Sequence, residues 1–140
     1  MQKKNKIYII DRSPLYGLKS KRKLSKLLGV DHTHLERLTS DENYYVQVKI
    51  RGSKERETQT PFGELDIAHK KIFKLLSRIE TPEYLFSGKK GLSYVNNASF
   101  HKDNDYFVIM DIEKFYPNSR GEYIFRFFRY TMNMSEDISF

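Results

Sequence analysis

Tyr106-Phe107-Val108-Ile109-Met110-Asp111-Ile112-Glu113-Lys114-Phe115-Tyr116 is the stretch whose reading decides the fold. Its first five residues form an unbroken apolar run. A strand with one wet face would alternate, so the run reads as a strand buried on both faces. It ends in a carboxylate. An aspartate at the end of a buried strand is costly to desolvate unless it meets a cation, a metal ion or the start of a helix. Asp111 is therefore the first candidate for a functional site, and a simple cap on the following turn is the alternative. Downstream, Ser119 stands where it could cap a closing helix through Tyr123, Ile124, Phe127 and Phe128, whose aromatic face needs something to pack on.

Upstream, residues 86–104 read as loop, with Gly88, Gly91, Asn96 and Asn97. Before them, Leu65, Ile67, Ala68, Ile72, Leu75, Leu76 and Ile79 recur at helical spacing, which predicts a long helix over about 62–80, stopped by Thr81-Pro82. From Tyr44 the period is two. Tyr44, Val46 and Val48 alternate with polar neighbours, Arg51-Gly52-Ser53 turns, and Lys54 to Thr60 runs back to Pro61, which predicts a β-hairpin over 44–60 with a basic tip. In the N-terminal part, Ser13-Pro14 reads as a helix start. Ser20 caps a helix through Leu24, Leu27 and Leu28 to Gly29, and Asp31 caps a short third one with Leu35 and Leu38. The fold class is α+β, one continuous unit of three segments: a basic helical part (1–43), a hairpin and helix part (44–104) and the buried strand with its closing helix (105–140).

The chain has 140 residues and a formal net charge of +7. Residues 1–60 hold 14 Lys and Arg against 7 Asp and Glu, and residues 61–140 hold 11 of each, so the whole excess lies in the first part. Such a surface suits a polyanion, because neutralising phosphates releases counterions. Lys21, Arg22, Lys23 and Lys26 turn outward on their helix, and with Arg51 at the hairpin tip they are candidate nucleic-acid contacts; a merely solvated face is the alternative. There is no cysteine, which removes disulfide scaffolds, thiolate zinc sites and cysteine nucleophiles together. No run approaches the roughly 18 apolar residues of a membrane span, and a cytoplasmic protein without membrane contact is expected. His32, His34, His69 and His101 lack the spacing of a zinc hydrolase, and no G-x-S-x-G, Walker-type or G-x-G-x-x-G motif occurs.

Taken in order, the residues resemble a family. Lys54-x-Arg56-x-Thr58-x-x-Pro61 is similar to the fingers segment of bacterial reverse transcriptases, with Thr58 where an aliphatic residue is common. The helix with Leu65, His69, Ile72 and Leu75, then Gly91-Leu92-Ser93, Asn97-Ala98 and His101, matches the next segment in order and spacing. Met110 to Ser119 resembles motif A, the strand with the family's first catalytic aspartate. The likeness is closest to the retron and related defence-type branch, spans about residues 13–130, and extends to Ser13-Pro14-Leu15-Tyr16.

The resemblance implies fingers and the first palm strand of an incomplete right-hand polymerase fold. It assigns Asp111 as a metal ligand, with the carbonyl of Ile112 beside it, for magnesium. Tyr116 would pack under the incoming sugar, and Lys54 and Arg56 would face the triphosphate. The partner would be an RNA template or an RNA/DNA hybrid. The family's Tyr-x-Asp-Asp hairpin has no counterpart, since no Asp-Asp pair occurs. Two-metal phosphoryl transfer needs several carboxylates, so the chain alone is expected not to polymerise. The remaining palm and thumb polypeptide, or self-association through the aromatic C-terminal helix, would cover what this leaves open. Two other readings stand beside this one: a non-catalytic nucleic-acid-binding module derived from polymerase fingers, and a fragment that docks on a protein through that helix.

Overall fold

The computed structural model describes residues 7–52 and 54–139, with the side chains of Arg51, Lys54 and Arg56 outside the described set. Its elements are α1 (Lys21–Leu28), β1 (Tyr44–Arg51), β2 (Lys54–Pro61), α2 (Gly63–Leu76), α3 (Tyr94–Phe100), α4 (Phe115–Asn118), α5 (Gly121–Arg126) and α6 (Glu136–Ser139). Tight 3-10 turns at His32–Thr39 and Asp41–Asn43 join α1 to the hairpin, and a π-helical turn, Phe127–Thr131, extends α5. The class is α+β, as expected.

Local chemistry accounts for the first helices. Ser20 accepts a hydrogen bond from the Lys23 amide, and Gly29 closes α1 at φ 76°, a left-handed position that suits glycine. Asp31 accepts from the Thr33 amide at 2.8 Å and from its hydroxyl at 2.7 Å. Ser13-Pro14 does not start a helix. It opens a turn that Gly17 ends at φ 65°, because this leader is drawn into the core: Leu15 and Leu18 are buried.

That core is closed by segments far apart in sequence. Leu15 and Leu18 pack with Met132 and Met134, and around them lie Leu24, Leu27, Leu75, Leu76, Ile79, Phe127 and Phe128. The Gly17 amide donates to the Met132 carbonyl (2.8 Å) and the Ser135 amide to that of Leu18 (3.0 Å). A smaller cluster, Leu28, Val30 and Ala68, joins α1 to α2. The long helix ends at Leu76, three residues short of the expected Ile79, which instead forms a parallel bridge with Tyr8.

The hairpin keeps the expected strands in a two-residue-loop register, Tyr44 opposite Pro61 through Arg51 opposite Lys54. Thr58, the departure from the aliphatic pattern, donates its hydroxyl to the carbonyl of its partner Gln47 (3.1 Å). Tyr45 stacks on Phe62 with centroids 4.4 Å apart, a contact worth about 0.5–1.5 kcal/mol beyond burial. It anchors the base of the hairpin to α2, while Val46, Val48 and Ile50 stay exposed.

Three expectations are corrected. Residues 106–112 are not a strand: the described sheet contains only β1 and β2, and this run makes no backbone hydrogen bond among the described residues. Ile109 and Met110 are 94% and 88% exposed. A strand buried on both faces needs a ladder partner on each edge and a layer on each side, and none is present among the described residues. The stretch read as loop contains α3, whose start is built by Asn96: its side-chain oxygen accepts from the Ser93 amide and hydroxyl, both at 2.8 Å. Ser119 does not cap the closing helix, since its hydroxyl donates back to the Phe115 carbonyl (2.8 Å), and Arg120 takes the N-cap position of α5.

Met132→Ala should lower the unfolding free energy by about 2–5 kcal/mol, because the side chain is fully buried at the clasp of leader and C-terminal segment; urea denaturation followed by circular dichroism measures it. The two hydrogen bonds from Thr33 hold the Asp31 carboxyl below its ordinary value. Its contribution is therefore present above the unfolded carboxylate pKa and lost as pH falls through the lower folded one. Thr33→Ala should move the Asp31 midpoint upward in an NMR titration, and an unchanged midpoint would contradict the cap.

Candidate functional site

The 106–112 run leads from the loop after α3 into α4 by a sharp turn. Lys114 sits there at φ 49°, ψ 51°, a left-handed conformation that side chains other than glycine and asparagine seldom adopt. Asn118 steadies the turn by donating its side-chain amide to the Glu113 carbonyl at 2.8 Å. The sequence signal for this turn is weak, because lysine does not announce a left-handed position. Strain of about 1–3 kcal/mol held at a turn is a feature that functional sites often carry.

Asp111 is exposed within the run. No ion pair or hydrogen bond ties it to Tyr116 or to the hairpin among the described residues. Tyr116 is 85% exposed and meets Phe115 edge to face, with centroids 5.3 Å apart. Glu113 lies 3.8 Å from the Lys114 ammonium. Asp103 and Asp105 precede the run. Among the described residues no group of three or more histidine, aspartate or glutamate side chains converges to hold a metal. One exposed carboxylate does not fit a magnesium site, so Asp111 and the Ile112 carbonyl are at most one corner of one.

The basic tip of the hairpin is organised by register. Lys49 pairs with Arg56 and Arg51 with Lys54, so four cationic positions fall opposite each other at the same end of the ladder. Like charges directly opposite destabilise a hairpin. The side chains of Arg51, Lys54 and Arg56 lie outside the described residues, and the placement rests on the backbone ladder alone.

A second cationic region belongs to α1. Between Arg12 and Val30 the chain carries six cations (Arg12, Lys19, Lys21, Arg22, Lys23 and Lys26) and no acid. All six are exposed. Lys21 is paired to Glu36 at 3.1 Å; the other five make no ion pair among the described residues. The 3-10 turn behind them is tied to α2 by His34, whose Nδ1 lies 2.9 Å from Glu64.

Beside the run, α2 and the α4–α5 segment enclose an apolar cleft of about 830 Å³, lined by Ile72, Phe73, Phe115, Tyr123, Ile124 and Phe127 among others. Tyr123 and Ile124 are more than half exposed. Phe86, Phe100, His101 and Phe107 contact one another in sequence as a chain of aromatic rings. His101 is thereby a packing residue, as is Asn96 through its cap. Sequence reading missed α3 although Ser93-x-x-Asn96 has the spacing of a helix cap.

Because residues 106–112 make no backbone hydrogen bond among the described residues, their amides should exchange with deuterium within seconds in the isolated chain. Those of α2 and of the β1–β2 ladder should exchange far more slowly. Slow exchange at Val108 to Met110 would contradict the exposed run.

No family model and no solved structure matches the chain. No helix among the described residues is long and apolar enough to cross a membrane. Among curated proteins, the chain is 30% identical over 121 residues to the retron Se72 reverse transcriptase of Salmonella heidelberg (strain 579083-10). The match takes in 83% of this chain and 32% of that relative, so the chain spans about a third of the length of the protein it matches. Over most of its length, then, the chain is a sequence relative of the bacterial retron-type reverse transcriptases.

Proposed function

We propose that the chain is the N-terminal portion of a retron-type reverse transcriptase, which supplies the fingers hairpin and the first catalytic aspartate of an RNA-directed DNA polymerase. The observation that carries this is the likeness to a retron reverse transcriptase over 83% of the chain. It is joined by an exposed apolar run that ends in Asp111 and turns at Lys114. In this reading Lys54 and Arg56 bind the triphosphate, where a guanidinium fork suits phosphate oxygens. Tyr116 supports the sugar, and the basic N-terminal part holds the RNA template or hybrid.

Chemistry by this chain alone is not part of the proposal. A two-metal centre places its ions about 3.5–4 Å apart and needs carboxylates on both. Asp111 with the Ile112 carbonyl supplies one share, and magnesium belongs only to the site that further palm polypeptide completes. The same polypeptide would give residues 106–112 their ladder and fill the cleft beside Tyr123 and Ile124. Apolar surface of this extent is otherwise a site of self-association. The cytoplasm follows as the place where such an enzyme meets its RNA.

Primer extension on an RNA template is the test. The purified chain with magnesium or manganese should show none. A mixture with a polypeptide carrying the Tyr-x-Asp-Asp region and thumb of the retron relative should extend the primer. Asp111→Ala should abolish that extension, and Tyr116→Ala should raise incorporation of ribonucleotides. Extension by the chain alone, or extension in the mixture that survives Asp111→Ala, would sink the proposal.

A further inference from the structure

We infer that α1 and α2 together form one cationic surface that takes the phosphate backbone of a nucleic-acid duplex without reading its bases. The inference rests on the reading that the chain binds nucleic acid and adds where, through which residues and in what form. The joint between the helices is Gly29. A Cβ built there would lie 3.8 Å from the Cε of Lys71, so the Lys71 stem runs along the end of α1. Lys74, one turn further on α2, is its neighbour at i,i+3. Both are exposed and make no ion pair among the described residues. The acid-free stretch from Arg12 to Val30 therefore continues across a packed helix contact onto a second element, a juxtaposition not visible in the sequence, where 40 residues lie between Val30 and Lys71.

Three physical points select the ligand. The first turn of α1 carries Lys21, Arg22 and Lys23 and no acid, an arrangement that the positive end of the helix dipole disfavours. The surface is repulsive until a polyanion screens it. The apolar side of α1, Leu24, Leu27 and Leu28, is spent on the two core clusters, which leaves no apolar face to enter a lipid layer. Residues 19–30 contain no aromatic side chain, and the aromatic between Lys71 and Lys74, Phe73, lines the apolar cleft with Phe115 and Tyr123; proteins that hold unpaired bases stack them on aromatics. Cations without stacking partners hold backbone phosphates, whose contacts position a duplex and carry no base information.

The test is fluorescence anisotropy with the full chain, a short blunt RNA duplex and one of its single strands, over a salt series. The duplex should bind more tightly than the single strand, and an unrelated duplex of equal length equally well. Lys71→Ala with Lys74→Ala should weaken binding and make the log–log salt slope shallower by about 1 per lysine, as should Lys23→Ala with Lys26→Ala. Lys71→Arg with Lys74→Arg should keep the wild-type slope, which separates lost charge from lost folding. If the α1 pair weakens binding and the α2 pair does not, the joint surface is overturned while nucleic-acid binding stands. Tighter binding to the single strand, or to phosphatidylserine vesicles, would also overturn it. No binding of the wild-type chain to either RNA would remove this inference and the reading beneath it together.

Discussion

The clasp of Leu15 and Leu18 against Met132 and Met134 is the contact on which the rest of the structure depends. It joins the leader to the last turns of the chain and seats both on the end of α2. Two backbone hydrogen bonds, from the Gly17 amide to the Met132 carbonyl and from the Ser135 amide to the Leu18 carbonyl, fix its geometry. Because the leader is held there, α1 can lie on α2 through Leu28 and Ala68, and α2 in turn carries the hairpin through Phe62 and Tyr45. Everything that projects from this base is poorly buried: the hairpin tip, the loop around α3 and the 106–112 run. The hairpin cations and Asp111 sit on the projecting parts, whereas the α1 cations sit on the base itself.

That division has a physical logic. In the proposed reading the hairpin and the segment around Asp111 must face substrate, so neither can be used to build the core. The core is instead assembled from residues with no role in the proposed chemistry. The exposed run is a different matter, since its apolar side chains are in the wrong solvent. Each fully exposed leucine-sized side chain forgoes about 1.5–3 kcal/mol of burial. An apolar stretch of this kind specifies an environment that the described residues do not provide.

Elements set by local chemistry were legible from sequence. Ser20, Gly29 and Asp31 terminate helices where their side chains or backbone freedom allow it, and the period-two pattern found both strands and their turn. The long helix was legible to within a turn. What was not legible depended on distant partners. The apolar run at 106–110 reads as a buried strand because composition reports the environment a segment needs, whereas a ladder requires neighbours. Met132 and Met134 escaped notice because they flank Asn133, at φ 52°, and show neither helical nor strand periodicity. Of the candidate site, Asp111 stood out by its place after an apolar run, and Tyr116, Lys54 and Arg56 by the family resemblance; the backbone ladder places four cationic positions opposite one another, and only helix packing brings Lys71 to the end of α1.

The most direct measurement is amide exchange across residues 106–112 in the isotope-labelled chain, before and after addition of an unlabelled polypeptide carrying the rest of the retron relative's palm and thumb. If the chain is the first part of that polymerase, these amides pass from unprotected to strongly protected as the run gains ladder partners. Protection unchanged at 106–112, with the polypeptide present in excess, would contradict it.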